Sequence, residues 1–159
     1  MPTLKLLLLL SLSLYFSHTA PPSVGPYPIK FEKIRLGGLR TSLGLIQSAM
    51  LYYPDTDEPG SFPVVSFAHG MFNGGPFLDM NYSVTFESVA SFGYIVVAPM
   101  SCVLLWCELL PYDLLQGIKG PFENPKMHPI FSKADFSSTG IFGHSMGGDA
   151  VTRLTTWKD

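Results

Sequence analysis

Charge is scarce in this chain. Charged residues occupy 14% of its 159 positions and hydrophobic residues 47%, a balance that excludes a disordered, solvating tail. The formal net charge of −2 supplies no basic footprint for nucleic acid or for an anionic membrane surface. No internal repeat is present, so no repeat array is implied. Long apolar runs are missing too: the richest, residues 6–16, is too short to span a bilayer core of roughly 30 Å. Cysteine occurs twice and histidine four times, whereas glycine (15) and proline (14) are plentiful, as in a loop-rich α/β or β protein. The length suits one domain with a sizeable core.

The opening "MPTLKLLLLLSLSLYFSHTA" reads as a secretory signal peptide over residues 1–20, with Lys5 as its positive start and a short polar end. A buried N-terminal helix and an uncleaved anchor are the alternatives. Pro21 makes Ala20 a poor cleavage point, and removal of the segment makes the chain more negative by the loss of Lys5. A secreted, extracellular location is the corresponding expectation. Two further features then gain meaning. Asn81-Tyr82-Ser83 is an N-glycosylation pattern that implies an exposed loop if used. Cys102 and Cys107 lie in an environment where oxidation is permitted. In a helix their axial rise alone is about 7.5 Å, beyond disulfide reach, so either a bend joins them or both remain buried thiols.

Past a proline-stiffened lead-in, "KFEKIRL" and "LGLIQSAMLYYP" alternate as two strands around the Gly37-Gly38 turn. "PDTDEPGSFP" is a surface loop. "VVSFA", "YIVVAPM" and "TGIFG" are short continuous apolar runs of the kind buried on both faces of a sheet. Helices are expected over "YSVTFESVASFG", ended by Gly93, over "LPYDLLQGIKG", and over "GGDAVTRLTTW". "PFENPKMHPIFSKADFSS" reads as proline-broken loop. Strand–helix alternation predicts a mostly parallel sheet with crossover helices and an antiparallel N-terminal edge.

The chemistry concentrates at "TGIFGHSMGGDAV". Gly143-His144-Ser145-Met146-Gly147 is G-x-S-x-G between a buried strand and a helix, the context in which that pattern places a serine on a strained, exposed turn. Side chains at Gly143 or Gly147 are expected to collide with the neighbouring strand or helix, and Gly148 to pack closely as well. The second element is "FAHGMFNGG", whose glycines let backbone approach a substrate. Acyl transfer needs fixed N–H donors aimed at the developing oxyanion, and the backbone N–H groups of Met71 and Met146 are the candidates. Met71, Phe72, Phe77 and Met80 make this loop apolar. Phe72 is the candidate substrate-lining residue, with ordinary loop packing as the alternative. "VLLWCELL" either lines the same cleft or covers the core.

Through "VVSFAHG", "VASFGYIVVAPM" and "TGIFGHSMGGDAV" the chain resembles the α/β-hydrolase family. Within it, the likeness is to the chlorophyllase-like and secreted polyester-hydrolase-like (cutinase-type) esterases, over roughly residue 30 to the C-terminus. "GHSMGG" is closer to the polyester-hydrolase version than to the chlorophyllase one, which carries arginine where Met146 stands. The resemblance implies Ser145 as nucleophile, Met71 and Met146 as oxyanion donors, and triad partners in the order serine, acid, histidine. The acid and the histidine are expected beyond Asp159, so the α/β-hydrolase fold is expected to be incomplete over residues 21–159 and the chain catalytically incomplete. As a base, His69 more often braces its turn, His144 is expected to point away from the hydroxyl into the scaffold, His128 to be solvated, and His18 to leave with the signal. Asp149 reads as a dipole-favoured acid at a helix start.

The leading expectation is therefore a serine hydrolase cleaving small-molecule or lipid-like carboxylic esters through an acyl-enzyme. No cofactor or metal is implied, no nucleic-acid partner, and no stable membrane insertion after signal removal. The rivals are a non-catalytic truncated binding protein, a serine peptidase of the same fold, and a membrane-anchored surface protein. An unpaired "TGIFG" edge further predicts poor expression or self-association of the isolated chain.

Overall fold

The computed structural model describes residues 24–38, 47–102 and 107–156. The predicted signal peptide lies outside these residues, as do the first four positions of the second predicted strand and residues 103–106 of the cysteine segment.

Among the described residues five strands form one sheet. β1 (Ile29–Arg35) and β2 (Ser48–Pro54) pair antiparallel, with Ile29 opposite Pro54 and Arg35 opposite Ser48. β3 (Phe62–Ala68) leads through helix α1 (Phe77–Ser91) into β4 (Ile95–Pro99), which pairs parallel to β3 and antiparallel to β2. Helix α2 (Leu110–Glu123), entered through a 3₁₀ turn at Cys107–Leu109, leads on through two short 3₁₀ turns, Pro125–Met127 and Pro129–Lys133. β5 (Ala134–Gly143) then pairs parallel to β3, and helix α3 (Met146–Thr156) comes after it. The order is β1-β2-β4-β3-β5.

Two of the four pairings are antiparallel and two parallel, so the sheet is mixed. Both antiparallel pairings involve β2, so β1 and β2 form the antiparallel N-terminal edge that the sequence predicts, laid against the parallel strands β4-β3-β5. β2 is buried at nearly every position and hydrogen-bonds on both sides, whereas the side chains of the outermost strand β1 are mostly exposed.

Period-two alternation sorts the core onto two faces. Met50, Tyr52, Phe67, Val96 and Ala98 meet Leu78, Tyr82, Phe86 and Ala90 of α1. Their intervening neighbours Leu51, Val64, Ile95 and Val97 join Ile130 and Phe131 on the opposite face. On that face Ala68 also packs with Leu110 and Leu114 of α2 and Ala150 of α3. Phe67 is the centre of the α1 face, with the rings of Tyr82, Phe86 and Phe142 at 4.7, 4.9 and 4.9 Å. Gly117 sets how closely α2 approaches the sheet, because a Cβ there would overlap the Ser66 side chain of β3.

Element ends depart from expectation in instructive ways. α1 begins at Phe77, five residues before the predicted start, and ends as foreseen: Gly93, at φ +93°, donates to the Ala90 carbonyl at 2.9 Å. α2 runs on through Pro121 in its last turn, where the sequence pattern suggested a stop. β5 starts at Ala134, inside the predicted loop, because the β3–β5 register jumps: Pro63 faces Asp135 but Val64 faces Thr139. The residues between are looped out, and Ser137 N–H donates to the Asp135 carboxylate at 2.9 Å. A polar, turn-like stretch is thus absorbed as an irregularity within a strand. The two cysteines are joined, with Cα atoms 5.2 Å apart, which decides against two free buried thiols. Among the described residues no helix is long and apolar enough to cross a membrane.

Candidate active site

Gly143 ends β5 and Met146 begins α3, which leaves two residues to reverse the chain. Ser145 takes φ +53°, a left-handed backbone that costs a non-glycine residue about 1–2 kcal/mol. The turn is closed on both sides: Gly147 N–H donates to the His144 carbonyl at 2.9 Å, and Asp149 N–H to the Ser145 carbonyl at 3.2 Å. Ser145 is exposed at its crest.

Two glycines make the turn possible. A Cβ on Gly147 would overlap the Ala68 carbonyl of β3, and one on Gly143 would lie 2.5 Å from the Gly147 carbonyl and 3.0 Å from Ala68 O. Gly148 differs from expectation, since a Cβ there meets nothing closer than Gly143 O at 3.8 Å. The crowding brings the turn against the end of β3, where the second glycine-rich loop begins. His144 N–H donates to Ala68 O at 3.1 Å, so the two loops share one anchoring carbonyl.

That second loop is tightly specified. His69 is fully buried, and its Nδ1 donates to the Gly70 carbonyl at 2.8 Å. Asn73 N–H returns to the same carbonyl at 3.1 Å, with Phe72 at φ +64° inside the turn. A side chain on Gly74 would overlap both the His69 ring and the Cys102 carbonyl, which locks the loop against the disulfide segment. Met71 and Phe72 project outward, 55% and 56% exposed, and Phe77 and Met80 are exposed as well. Their apolar surface is presented to solvent rather than used for packing.

The elbow borders a cavity of about 240 Å³ between Met146, Asp149, Ala150 and Arg153 of α3 and Cys107, Leu110 and Pro111. Glu108, Pro111 and Arg153 are shared with a neighbouring hollow of about 570 Å³ that reaches Tyr112, Leu115 and Leu154. The described part of the cysteine segment therefore lines these hollows, while Leu110 also contributes to the core. Asp149 pairs with Arg153 at 2.7 Å along the exposed side of α3. Among the described residues no group of three or more His, Cys, Asp or Glu is placed to hold a metal ion.

The histidines divide clearly. His128, expected in solvent, is only 13% exposed: Nε2 meets Glu32 at 2.8 Å and Nδ1 accepts the Ile130 N–H at 3.3 Å. Glu32 also accepts from the Tyr53 hydroxyl at 2.8 Å, so His128 belongs to a partly exposed polar cluster with residues of β1 and β2. The His144 residue is exposed, yet its Nδ1 lies 2.9 Å from the Tyr82 hydroxyl. Tyr82 was not singled out from the sequence, where it appeared in a glycosylation pattern and at the start of an expected helix. The only available signal was its position on the buried face of α1, shared with Leu78 and Phe86. Asn81 sits on α1 rather than on a loop, and its Nδ2 donates to Asn73 Oδ1 and to the Phe77 carbonyl, each at 2.9 Å.

With this geometry in view, comparison with known proteins gives a consistent result. A family model described as Chlorophyllase matches residues 23–156. Chlorophyllase-1 of Arabidopsis thaliana is 38% identical over 92 residues, which cover 56% of this chain and 27% of that protein. The chain thus spans about a quarter of the length of the curated relative it matches.

Proposed function

This chain belongs to the chlorophyllase family, whose fold is that of the α/β-hydrolases, and from that premise we propose that Ser145 is the nucleophile of a carboxylic ester hydrolase. The single observation that carries the reading is the left-handed serine at the strand–helix junction, exposed and wedged between two obligatory glycines. Such strain is retained where a reactive group must be presented.

In the proposed reaction the Ser145 hydroxyl attacks the ester carbonyl carbon while a general base takes its proton. The tetrahedral intermediate collapses, the C–O bond to the alcohol breaks, and the base returns the proton to the departing oxygen. Water then attacks the acyl-enzyme, releasing the carboxylic acid and restoring the serine. The backbone N–H of Met146, first in α3, and that of Met71 would donate to the oxyanion. Helix N-termini carry unsatisfied N–H groups and a positive dipole end suited to this charge. His69, His128 and His144 are engaged elsewhere, so the base and its orienting acid are proposed to come from sequence beyond Asp159 in the whole protein.

For substrate, the reading favours an ester with a bulky apolar portion. It is supported by the exposed Met71, Phe72, Phe77 and Met80 and by the hollow beside Met146. Chlorophyll is one such ester by the relative's name. The Cys102–Cys107 bridge supports passage through an oxidising compartment, in keeping with export directed by residues 1–20 and an extracellular location.

The test is a fluorophosphonate probe applied to the full-length protein. One adduct on the peptide containing Ser145, lost in Ser145→Ala, is expected. An unlabelled but folded full-length protein overturns the nucleophile assignment.

A further inference from the structure

The Tyr82 hydroxyl stands where three segments meet. It accepts the Gly70 N–H at 3.0 Å and lies 2.9 Å from His144 Nδ1. Gly70 N–H can only donate and takes one lone pair of the phenol oxygen. The assignment that also uses the phenolic hydrogen gives it to Nδ1, which then accepts, and makes His144 the Nε2–H tautomer. Space is as restrictive as hydrogen bonding. A Cβ on Gly70 would sit 2.7 Å from His144 Nδ1 and 3.2 Å from the Tyr82 oxygen, so only glycine admits both partners. Tyr82 itself is 9% exposed, its ring set edge-on against Phe67, and needs little further ordering.

We propose that Tyr82 is a positioning residue that ties the loop carrying Met71 to the turn carrying Ser145 and Met146. The inference rests on the acyl-transfer reading of that turn. The Ala68 carbonyl fixes the His144 backbone, and His69 and Asn73 hold the Gly70 carbonyl from within its own loop. The tyrosine adds a side-chain tie between the two loops from the α1 side of the sheet, with that helix as a rigid mount. Its hydroxyl receives from one loop and gives to the other, so the two N–H donors proposed for the oxyanion keep one separation. An interaction realised at the transition state depends on that separation, and small displacements of such groups cost rate rather than binding.

The experiment uses the full-length protein and two independent readouts. In ¹⁵N-histidine spectra His144 Nδ1 should fall in the unprotonated, acceptor range and Nε2 in the N–H range, and Tyr82→Phe should shift both toward a tautomer mixture. In kinetics, Tyr82→Phe should slow fluorophosphonate labelling and ester kcat on the order of 10- to 100-fold, with KM changed less than about twofold. His144→Asn, whose side-chain oxygen replaces Nδ1 as acceptor, should retain most of the rate. His144→Leu should match Tyr82→Phe, and the double variant Tyr82→Phe/His144→Leu should be no worse than either. A protonated Nδ1 in the parent protein, or equal labelling rates in parent and Tyr82→Phe, overturns the proposal. A parent protein that takes no label strikes the nucleophile assignment instead, and the spectra still decide whether the tie exists.

Discussion

The backbone N–H of His144 donates to the carbonyl of Ala68 at 3.1 Å. One hydrogen bond thereby joins the end of β5 to the end of β3, past the last pair of the ladder, Ala68 opposite Gly143. Parallel strands normally diverge where their connections leave in different directions. Here they are kept together for one more residue, and the two glycine-rich loops emerge side by side. The glycines at 143 and 147 are the steric condition for this closeness.

That condition makes Gly147→Ala a sharp probe. Its methyl would overlap the Ala68 carbonyl, which is backbone and cannot turn aside. Overpacking of this kind costs about 1–3 kcal/mol. A lower melting temperature together with loss of Ser145 labelling is expected; a variant that melts and labels like the parent contradicts the packing described.

Ser145 offers the reverse experiment. Its φ of +53° is open to glycine without the steric penalty that any Cβ incurs. Ser145→Gly should therefore be more stable than Ser145→Ala by about 1 kcal/mol, while both lack label. Denaturant midpoints of the two variants measure the difference, and equal midpoints would argue against stored backbone strain.

Cys102–Cys107 closes a short loop beside the elbow, with Cys102 O against Gly74. Loop-closure entropy for so short a span is about 2 kcal/mol. Cys102→Ser/Cys107→Ser should lose that much in urea unfolding, and the unreduced protein should show no reactive thiol. Titration of two thiols in the native protein would exclude the bridge.

Alkaline stability should report on β2. Burial first, and then the hydrogen bond to Glu32, push the Tyr53 phenol up to about 12. Burial and the bond to the Asp79 carboxylate raise Tyr52 as well. The folded state thus holds these protons more tightly than the unfolded chain, whose tyrosines ionise near the ordinary value of 10.0. Their contribution is complete below about pH 10 and declines as pH rises from there toward about 12. Absorbance near 295 nm, roughly the phenolate band, should show two late-titrating tyrosines that join the rest on unfolding. Replacing Tyr53 by Phe should flatten the alkaline loss.

Short apolar runs bounded by glycine and proline marked β3, β4 and the elbow end of β5, because a strand buried on both faces leaves no polar alternation to read. G-x-S-x-G marked the turn at Ser145 because left-handed backbone and close packing each demand small residues at set offsets. These are local requirements, and residues carry them wherever they occur. Partners chosen across the sheet carry no such mark. β2 reads as half of an N-terminal antiparallel pair, and only its pairing with β4 shows which parallel strand that pair joins. His128 sits in a proline-rich stretch that looks solvated, until Glu32 from β1 folds beside it. Tyr82 reads as one more apolar position on a helix. Its role arises when Gly70 and His144, 12 and 62 residues away, converge on its hydroxyl. The sequence by itself determined which backbone conformations are accessible and where; tertiary structure alone decided which polar atoms meet, because that depends on register between strands distant along the chain.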